Sequence, residues 1–175
     1  MHACAVRVKQ DGEDWMNSKT IKTPVGLLVL SSRDGALCRI RAAREDELRH
    51  DACDPVLDEA VCQLEQYFAG ERKSFDLPLC MDGSLFDRAV WQLLLQIPFG
   101  ETRTYGRIAA LLGKPKAPRA VGGACSRNPL LIVVPCHRVI AGTGKLTGFA
   151  AGVPMKRALL ELEGFKTGEE RRRGK

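Results

Sequence analysis

Short apolar runs punctuated by turn residues fill Thr20–Arg41, with alternating apolar and polar positions in Ala36–Arg41, and after Pro55 the apolar positions take up helical spacing. Thr20-Ile21-Lys22-Thr23-Pro24-Val25-Gly26 predicts a strand and turn, and Leu27–Ser31 a second strand. Arg33-Asp34-Gly35 predicts a turn, and Ala36–Arg41 a third strand. Together these make a small antiparallel sheet. Pro55 opens a helix with Val56, Leu57, Ala60, Val61, Leu64, Tyr67 and Phe68 on one side, Gly70 ends it, and its apolar side is expected to cover the sheet. The polar stretch Met81-Asp82-Gly83-Ser84 then separates two differently built halves, which places domains at residues 1–83 and 84–168 with a basic tail at 169–175.

The second half reads mainly helical. Ser84 caps a helix carrying Phe86, Val90, Trp91, Leu94 and Leu95 at core spacing and stopping before Pro98. Thr104 caps the next helix, Tyr105–Leu112, and Gly113-Lys114-Pro115-Lys116 turns into a further one over Ala117–Arg127. Two short helices joined by a glycine-containing turn have the outline of a helix-turn-helix, an outline shared with ordinary packed helix pairs. The second helix is rich in small residues (Ala120, Gly122, Gly123, Ala124, Ser126), which lets its backbone approach either a DNA groove or a neighbouring helix. Beyond Arg119 and Arg127 it offers few side chains for reading base edges, so it suits binding by shape or backbone. The branched run Leu130–Val134 predicts a buried strand ended by Pro135. Residues 141–152 form a glycine-rich loop without the GK[ST] ending of a phosphate-binding loop. Pro154 opens a last helix with Leu159, Leu160 and Leu162 inward, closed by Gly164. The fold class is therefore α+β.

At 175 residues the chain can bury a real core, and it carries a formal net charge of +6. That charge is unevenly divided. Residues 1–99 hold 12 Lys+Arg against 16 Asp+Glu, whereas residues 100–175 hold 15 against 5, the footprint of a polyanion-binding second half. Met1–Val8 lacks a signal-peptide core and no apolar run is long enough to cross a bilayer, so an intracellular, cytoplasmic protein is expected, nucleoid-associated in a prokaryote. Seven cysteines are scattered without a CxxC pair, so buried thiols are expected. A site built from Cys4, Cys38 and Cys80 with His2 has only spacing in its favour.

Cys136 stands apart from the other six, because proline precedes it and His137 and Arg138 follow. A cysteine is by default a small core hydrophobe. Here Arg138 can favour the thiolate, and His137 is the one histidine of the second half. Glu163 opposes the macrodipole in the last turn of its helix. It is either an exposed residue of an amphipathic helix or a partner for His137.

Pro135-Cys136-His137-Arg138-Val139, preceded by Asn128-Pro129, with Arg119-Ala120-Val121-Gly122-Gly123 upstream and Leu160-Glu161-Leu162-Glu163-Gly164 downstream, resembles the O6-alkylguanine-DNA alkyltransferases. Weaker similarity extends to Thr23-Pro24-Val25-Gly26 and Gln66-Tyr67-Phe68-Ala69-Gly70. The resemblance implies an RNase H-like front domain and a winged-helix-like DNA-binding domain that carries the active site. It implies a single-turnover repair of duplex DNA in which O6-alkylguanine is flipped out of the stack and its alkyl group moves irreversibly to Cys136. His137, Glu163, Asn128 and Tyr105 would complete the catalytic set. Arg119 would fill the vacated stack, with Tyr105, Ala120, Gly122, Gly123 and Arg127 along the DNA. Val139, Phe149, Ala150 and Arg138 would form the base pocket. No cofactor or metal is called for, and the protein would act as a monomer, loading cooperatively or singly on DNA. Phe149, Ala151 and Leu162 depart from common family residues, which bears on pocket width. A non-catalytic lesion-binding module would have no need of Cys136, and a cysteine hydrolase would bring its histidine from a distant segment.

Overall fold

The computed structural model describes residues 7–8, 16–44, 46–47 and 51–165, which fall into two compact units, residues 1–82 and 83–175. His2, Cys4 and the tail at 169–175 lie outside the described residues.

In the first unit, β1 (Arg7–Val8), β2 (Met16–Thr23), β3 (Gly26–Arg33) and β4 (Ala36–Ala42) form an antiparallel meander in chain order. Two-residue turns at Pro24-Val25 and Asp34-Gly35 set the register, with Ile21 opposite Leu28 and Lys19 opposite Leu30. Helix α1 (Pro55–Phe68) packs on β2, β3 and β4, burying Leu57, Ala60, Leu64 and Tyr67 with Leu28, Leu30, Leu37 and Ile40. The strand-turn-strand order therefore gives the sheet, whose central strand β3 is buried along five successive residues, and the helical stripe gives its cover. The cap of α1 is Asp54, whose carboxylate accepts the Val56 and Leu57 amides and also Asn17 Nδ2 (2.7 Å) and Ser32 Oγ (2.9 Å). One side chain thus fixes both the start of the helix and its place on the sheet.

The second unit contains α2 (Leu85–Leu95), β5 (Arg103–Thr104), α3 (Tyr105–Leu111), α4 (Pro118–Ser126), a 3-10 turn at Cys136–Arg138, β6 (Val139–Ile140) and α5 (Val153–Leu162). Ser84 and Thr104 accept backbone amides as the expected caps of α2 and α3. Helices α2 and α3 both pack against α4. The small residues of α4 serve this packing in part. Ala124 is fully buried, its carbonyl takes the Trp91 indole N–H (2.9 Å), and Gly122 lies against Tyr105. Arg119 and Ala120 are exposed.

The expected strand Leu130–Val134 is not a strand. Residues 131–133 form a turn, with the Val133 amide on Leu131 O (2.9 Å) and the Val134 amide on Leu130 O (2.9 Å). All five residues are buried, so their apolar character reflects surroundings on every side rather than a place in a ladder. Ile132 sits at φ +72, a region that branched residues avoid and that costs on the order of 1–3 kcal/mol. The sheet contact of this unit lies further on, where β6 pairs parallel with β5, Arg103 against Val139. Leu162 and Leu95, expected inward, are exposed.

A Cβ added at Gly83 would lie 2.5 Å from Trp91 Cη2 and 2.8 Å from Cζ3, against an indole that is buried and hydrogen-bonded. Gly83→Ala is therefore expected to destabilise the protein by about 1–3 kcal/mol through overpacking, read as a lower urea midpoint at unchanged slope.

Candidate active site

Cys136, His137 and Arg138 occupy successive positions of one 3-10 turn, and all three are buried. Three residues per turn send neighbouring side chains in different directions, so adjacency in sequence does not make Cys136 and His137 face each other. Asn128 holds the turn from below. Its Nδ2 reaches Val134 O (2.8 Å) and Cys136 Sγ (3.0 Å), and its Oδ1 accepts the Leu130 amide (3.0 Å). One carboxamide thus bonds the first amide and the last carbonyl of the buried apolar segment and also touches the sulfur.

Glu163 is buried, which excludes the exposed alternative. His137 Nε2 lies 2.9 Å from its Oε1. Arg138 Nε donates to Oε2 at 2.9 Å and Nη2 to Oε1 at 2.9 Å, while the Gly100 amide reaches Oε2 at 3.2 Å. Arg138 Nη1 also donates to Ile97 O (2.6 Å), and its guanidinium lies over the Phe99 ring. Burial works against the Glu163 carboxylate, but His137 and Arg138 more than offset it and bring its pKa down to about 2. An ionised acceptor at Nε2 fixes the proton there and leaves His137 Nδ1 unprotonated, with no hydrogen-bond partner among the described residues. Burial pushes the His137 pKa down, against the pull of Glu163, so the ring is neutral at physiological pH.

The Arg138 guanidinium is thus committed to Glu163 and Ile97 O, and support for a thiolate falls to other groups. Burial pushes the Cys136 thiol up to about 11, opposed by the Asn128 hydrogen bond, the Lys156 charge and the backbone amides of Cys136 and His137. The resting sulfur is therefore a thiol, and a base must take its proton when it reacts. Burial, with nearby Cys125 and Cys136, pushes the Tyr105 phenol up to about 12. Its hydroxyl donates to the carbonyls of Thr147 (3.2 Å) and Gly148 (3.4 Å) in the glycine-rich loop. In that loop Phe149 is half-buried and Ala150 exposed, while Val139, on β6, is buried. Of the DNA-facing candidates, Arg127 pairs with Asp87 through Nη2–Oδ1 at 2.7 Å and Nε–Oδ2 at 3.2 Å, with more than half of its side chain exposed.

The structure adds one residue that sequence reasoning did not single out. Lys156 is fully buried, and its Nζ donates to Val139 O (2.6 Å), Thr147 O (3.0 Å) and Gly148 O (3.4 Å). A lysine in an amphipathic helix reads as a surface residue, and no sequence signal marks this one as different. Among the described residues no group of three His, Cys, Asp or Glu is arranged to hold a metal ion, and no helix is long and apolar enough to cross a membrane.

A ribonuclease-like sheet unit, followed by a helical unit with a buried cysteine beside a His–Glu–Arg cluster, matches two family models. One, 6-O-methylguanine DNA methyltransferase, ribonuclease-like domain, covers residues 16–81; the other, 6-O-methylguanine DNA methyltransferase, DNA binding domain, covers residues 85–165. The chain belongs to the 6-O-methylguanine DNA methyltransferase family. It is 48% identical over 149 residues to the methylated-DNA–protein-cysteine methyltransferase of Mycobacterium tuberculosis strain H37Rv, spanning 83% of this chain and 90% of that one. It is 45% identical over 154 residues to the constitutive methylated-DNA–protein-cysteine methyltransferase of Bacillus subtilis, spanning 82% and 93%. The crystal structure of Mycobacterium tuberculosis O6-methylguanine methyltransferase superposes with a TM-score of 0.77 at 45% identity, covering 85% of this chain and 92% of that one. That of Mycobacterium tuberculosis OGT in complex with DNA superposes with a TM-score of 0.76 at 48% identity, covering 83% and 91%.

Proposed function

We propose that this protein repairs O6-alkylguanine, chiefly O6-methylguanine, in duplex DNA by moving the alkyl group to its own Cys136. The observation that carries this reading is the buried Cys136 sulfur on Asn128, adjacent in the chain to a neutral His137 that is oriented by an ionised Glu163. A group inside the stack is out of reach of a buried sulfur, so the nucleotide must turn out into the site. Helix α4 presents exposed Arg119 and Ala120, with half-buried Gly122 and Gly123, to the minor groove, and Arg119 fills the vacated stack. Arg127 lies beside this face. The flipped base sits over Val139, beneath Phe149 and Ala150, while Arg138 braces the turn from behind.

His137 Nδ1 takes the thiol proton through one water, because the adjacent side chains diverge. The O6–CH3 bond breaks as the S–CH3 bond forms, and the electron pair of the broken bond stays on the guanine. Tyr105, protonated at neutral pH, turns its hydroxyl from the Thr147 and Gly148 carbonyls to donate a hydrogen bond to that charge, and in net the thiol's proton ends on the guanine. The reaction balances without a cofactor. The product is a thioether with no leaving group at neutral pH, so each molecule acts once. The protein acts as a monomer on DNA in the cytoplasm.

Incubation with excess duplex bearing a labelled O6-methyl group tests the reading. One equivalent of label on protein and no further turnover is expected; tight binding without label would point to a lesion-binding module, and ester or peptide turnover to a hydrolase. Arg119→Ala is expected to slow transfer from duplex by about 10- to 100-fold, the loss of one inserted side chain worth 1–3 kcal/mol, with transfer from free O6-benzylguanine unchanged. Equal losses on both substrates would remove Arg119 from the flipping step.

A further inference from the structure

We propose that Cys38 and Cys80 form an oxidation site in the first unit, a thiol pair that a peroxide closes to a disulfide, fastening residues 78–80 to the edge of the sheet. β4 is the last strand of the meander, and among the described residues a single bridge covers its outer edge. The Leu37 amide donates to Pro78 O (2.8 Å) and the Cys80 amide to Leu37 O (2.9 Å), which sets Leu37 opposite Leu79 in parallel. One residue further on, Cys38 comes opposite Cys80. Alternation turns both side chains to one face, away from the core that receives Leu37. Neighbouring strands run about 4.8 Å apart, inside the roughly 4.4–6.8 Å that the Cα atoms of a disulfide span. The two sulfurs can therefore join with little movement of the backbone.

The surroundings make the two sulfurs different. Arg33 donates from Nη2 to Asp82 Oδ2 (2.7 Å) and to Cys80 Sγ (3.6 Å), so a cation held in place by a carboxylate lies against Cys80. A guanidinium there favours the thiolate, the form that attacks. Cys38 is the partner that keeps its proton. Its thiol donates to Ala36 O (3.4 Å), and burial with the adjoining Cys80 pushes its pKa up to about 11. Both residues are half-buried and within reach of a small peroxide, whereas Cys125 and Cys136 are buried. Closure takes two steps. The Cys80 thiolate takes one oxygen from hydrogen peroxide, and the O–O bond breaks to leave a sulfenic acid and hydroxide, which the proton released by Cys80 turns to water. Cys38 then attacks that sulfur, the S–O bond breaks as the S–S bond forms, and the hydroxyl leaves with the Cys38 proton as a second water. Two thiols are oxidised and one peroxide is reduced.

The full chain, first reduced and then held with a small excess of hydrogen peroxide, is blocked with N-ethylmaleimide and digested without reductant. Mass spectrometry is expected to find one linked peptide pair, Cys38 to Cys80, lighter than its two parts by two hydrogens. It should form on the order of tenfold faster than the exposed thiols of Cys53 and Cys62 are lost. Arg33→Gln should slow closure on the order of tenfold, because Cys80 loses its cation. In Cys38→Ser the reaction should stop at the sulfenic acid of Cys80, which dimedone traps. The bond closes a loop of about 40 residues, so oxidation should shift the unfolding equilibrium of the wild type by about 30- to 1,000-fold toward the fold, read as a higher urea midpoint, and leave Cys38→Ser unshifted. Cys38 and Cys80 each carrying maleimide after peroxide treatment would overturn the proposal. So would a linkage from either one to Cys4, or a zinc ion that leaves the reduced protein when these two thiols are blocked. The linkage is read on the wild type, so a variant that fails to fold does not decide it.

Discussion

Glu163→Gln is expected to cost both the fold of the second unit and the reaction. The carboxylate takes hydrogen bonds from His137, from Arg138 at two nitrogens and from the Gly100 amide, all within a buried cluster. A carboxamide has the same shape but turns an NH2 toward donors and leaves the Arg138 charge without its counter-ion. Breaking one side of a buried pair costs about 3–5 kcal/mol, a large share of the 5–15 kcal/mol that holds a typical domain.

The loss should depend on pH with a definite sign. The Glu163 pKa is depressed in the fold to about 2, against about 4.3 for a free glutamate, so its stabilisation is fully present above pH ~5 and is lost as pH falls through 4 toward 2. His137, with its pKa lowered by burial, adds a loss of the same sign as pH falls below its free value near 6.5. Melting temperatures of wild type and Glu163→Gln should differ most near neutrality and converge at acid pH; parallel curves would show that Glu163 is not ionised in the fold. At neutral pH, in the fraction that folds, transfer should slow by about 100- to 10,000-fold, because the base loses its fixed tautomer.

The larger effect belongs to Cys136→Ser. The serine hydroxyl can still accept the Asn128 hydrogen bond made by the sulfur at 3.0 Å, so the turn should persist and DNA should still bind. An alkoxide is far less accessible than a thiolate with a neutral imidazole as base, so transfer should fall below detection. Retained transfer would mean that another atom accepts the alkyl group.

Much of this site can be read in the chain because its parts are local. Ser84, Thr104 and Pro154 mark helix starts through capping and a fixed φ, and the Cys136-His137-Arg138 triplet lies within one turn. Leu130–Val134 was legible as buried but not as a turn. Its bend is imposed by Asn128, whose carboxamide bonds Leu130 and Val134 and holds Ile132 at a positive φ, a tertiary constraint that periodicity cannot express. Arg138 next to Cys136 suggested a charge for the sulfur. Only the fold shows that Glu163 and the Ile97 carbonyl take that guanidinium. Lys156 was invisible for the opposite reason, since its partners are backbone carbonyls and carry no residue signature.

The most direct test digests wild-type protein after reaction with a duplex carrying one O6-methylguanine and locates the methyl group by peptide mass spectrometry. The expected result is a single methyl on the peptide containing Cys136, with the duplex returned to guanine in equal amount. A methyl on Cys125 or any other residue, or repaired DNA with unmodified protein, would contradict the account.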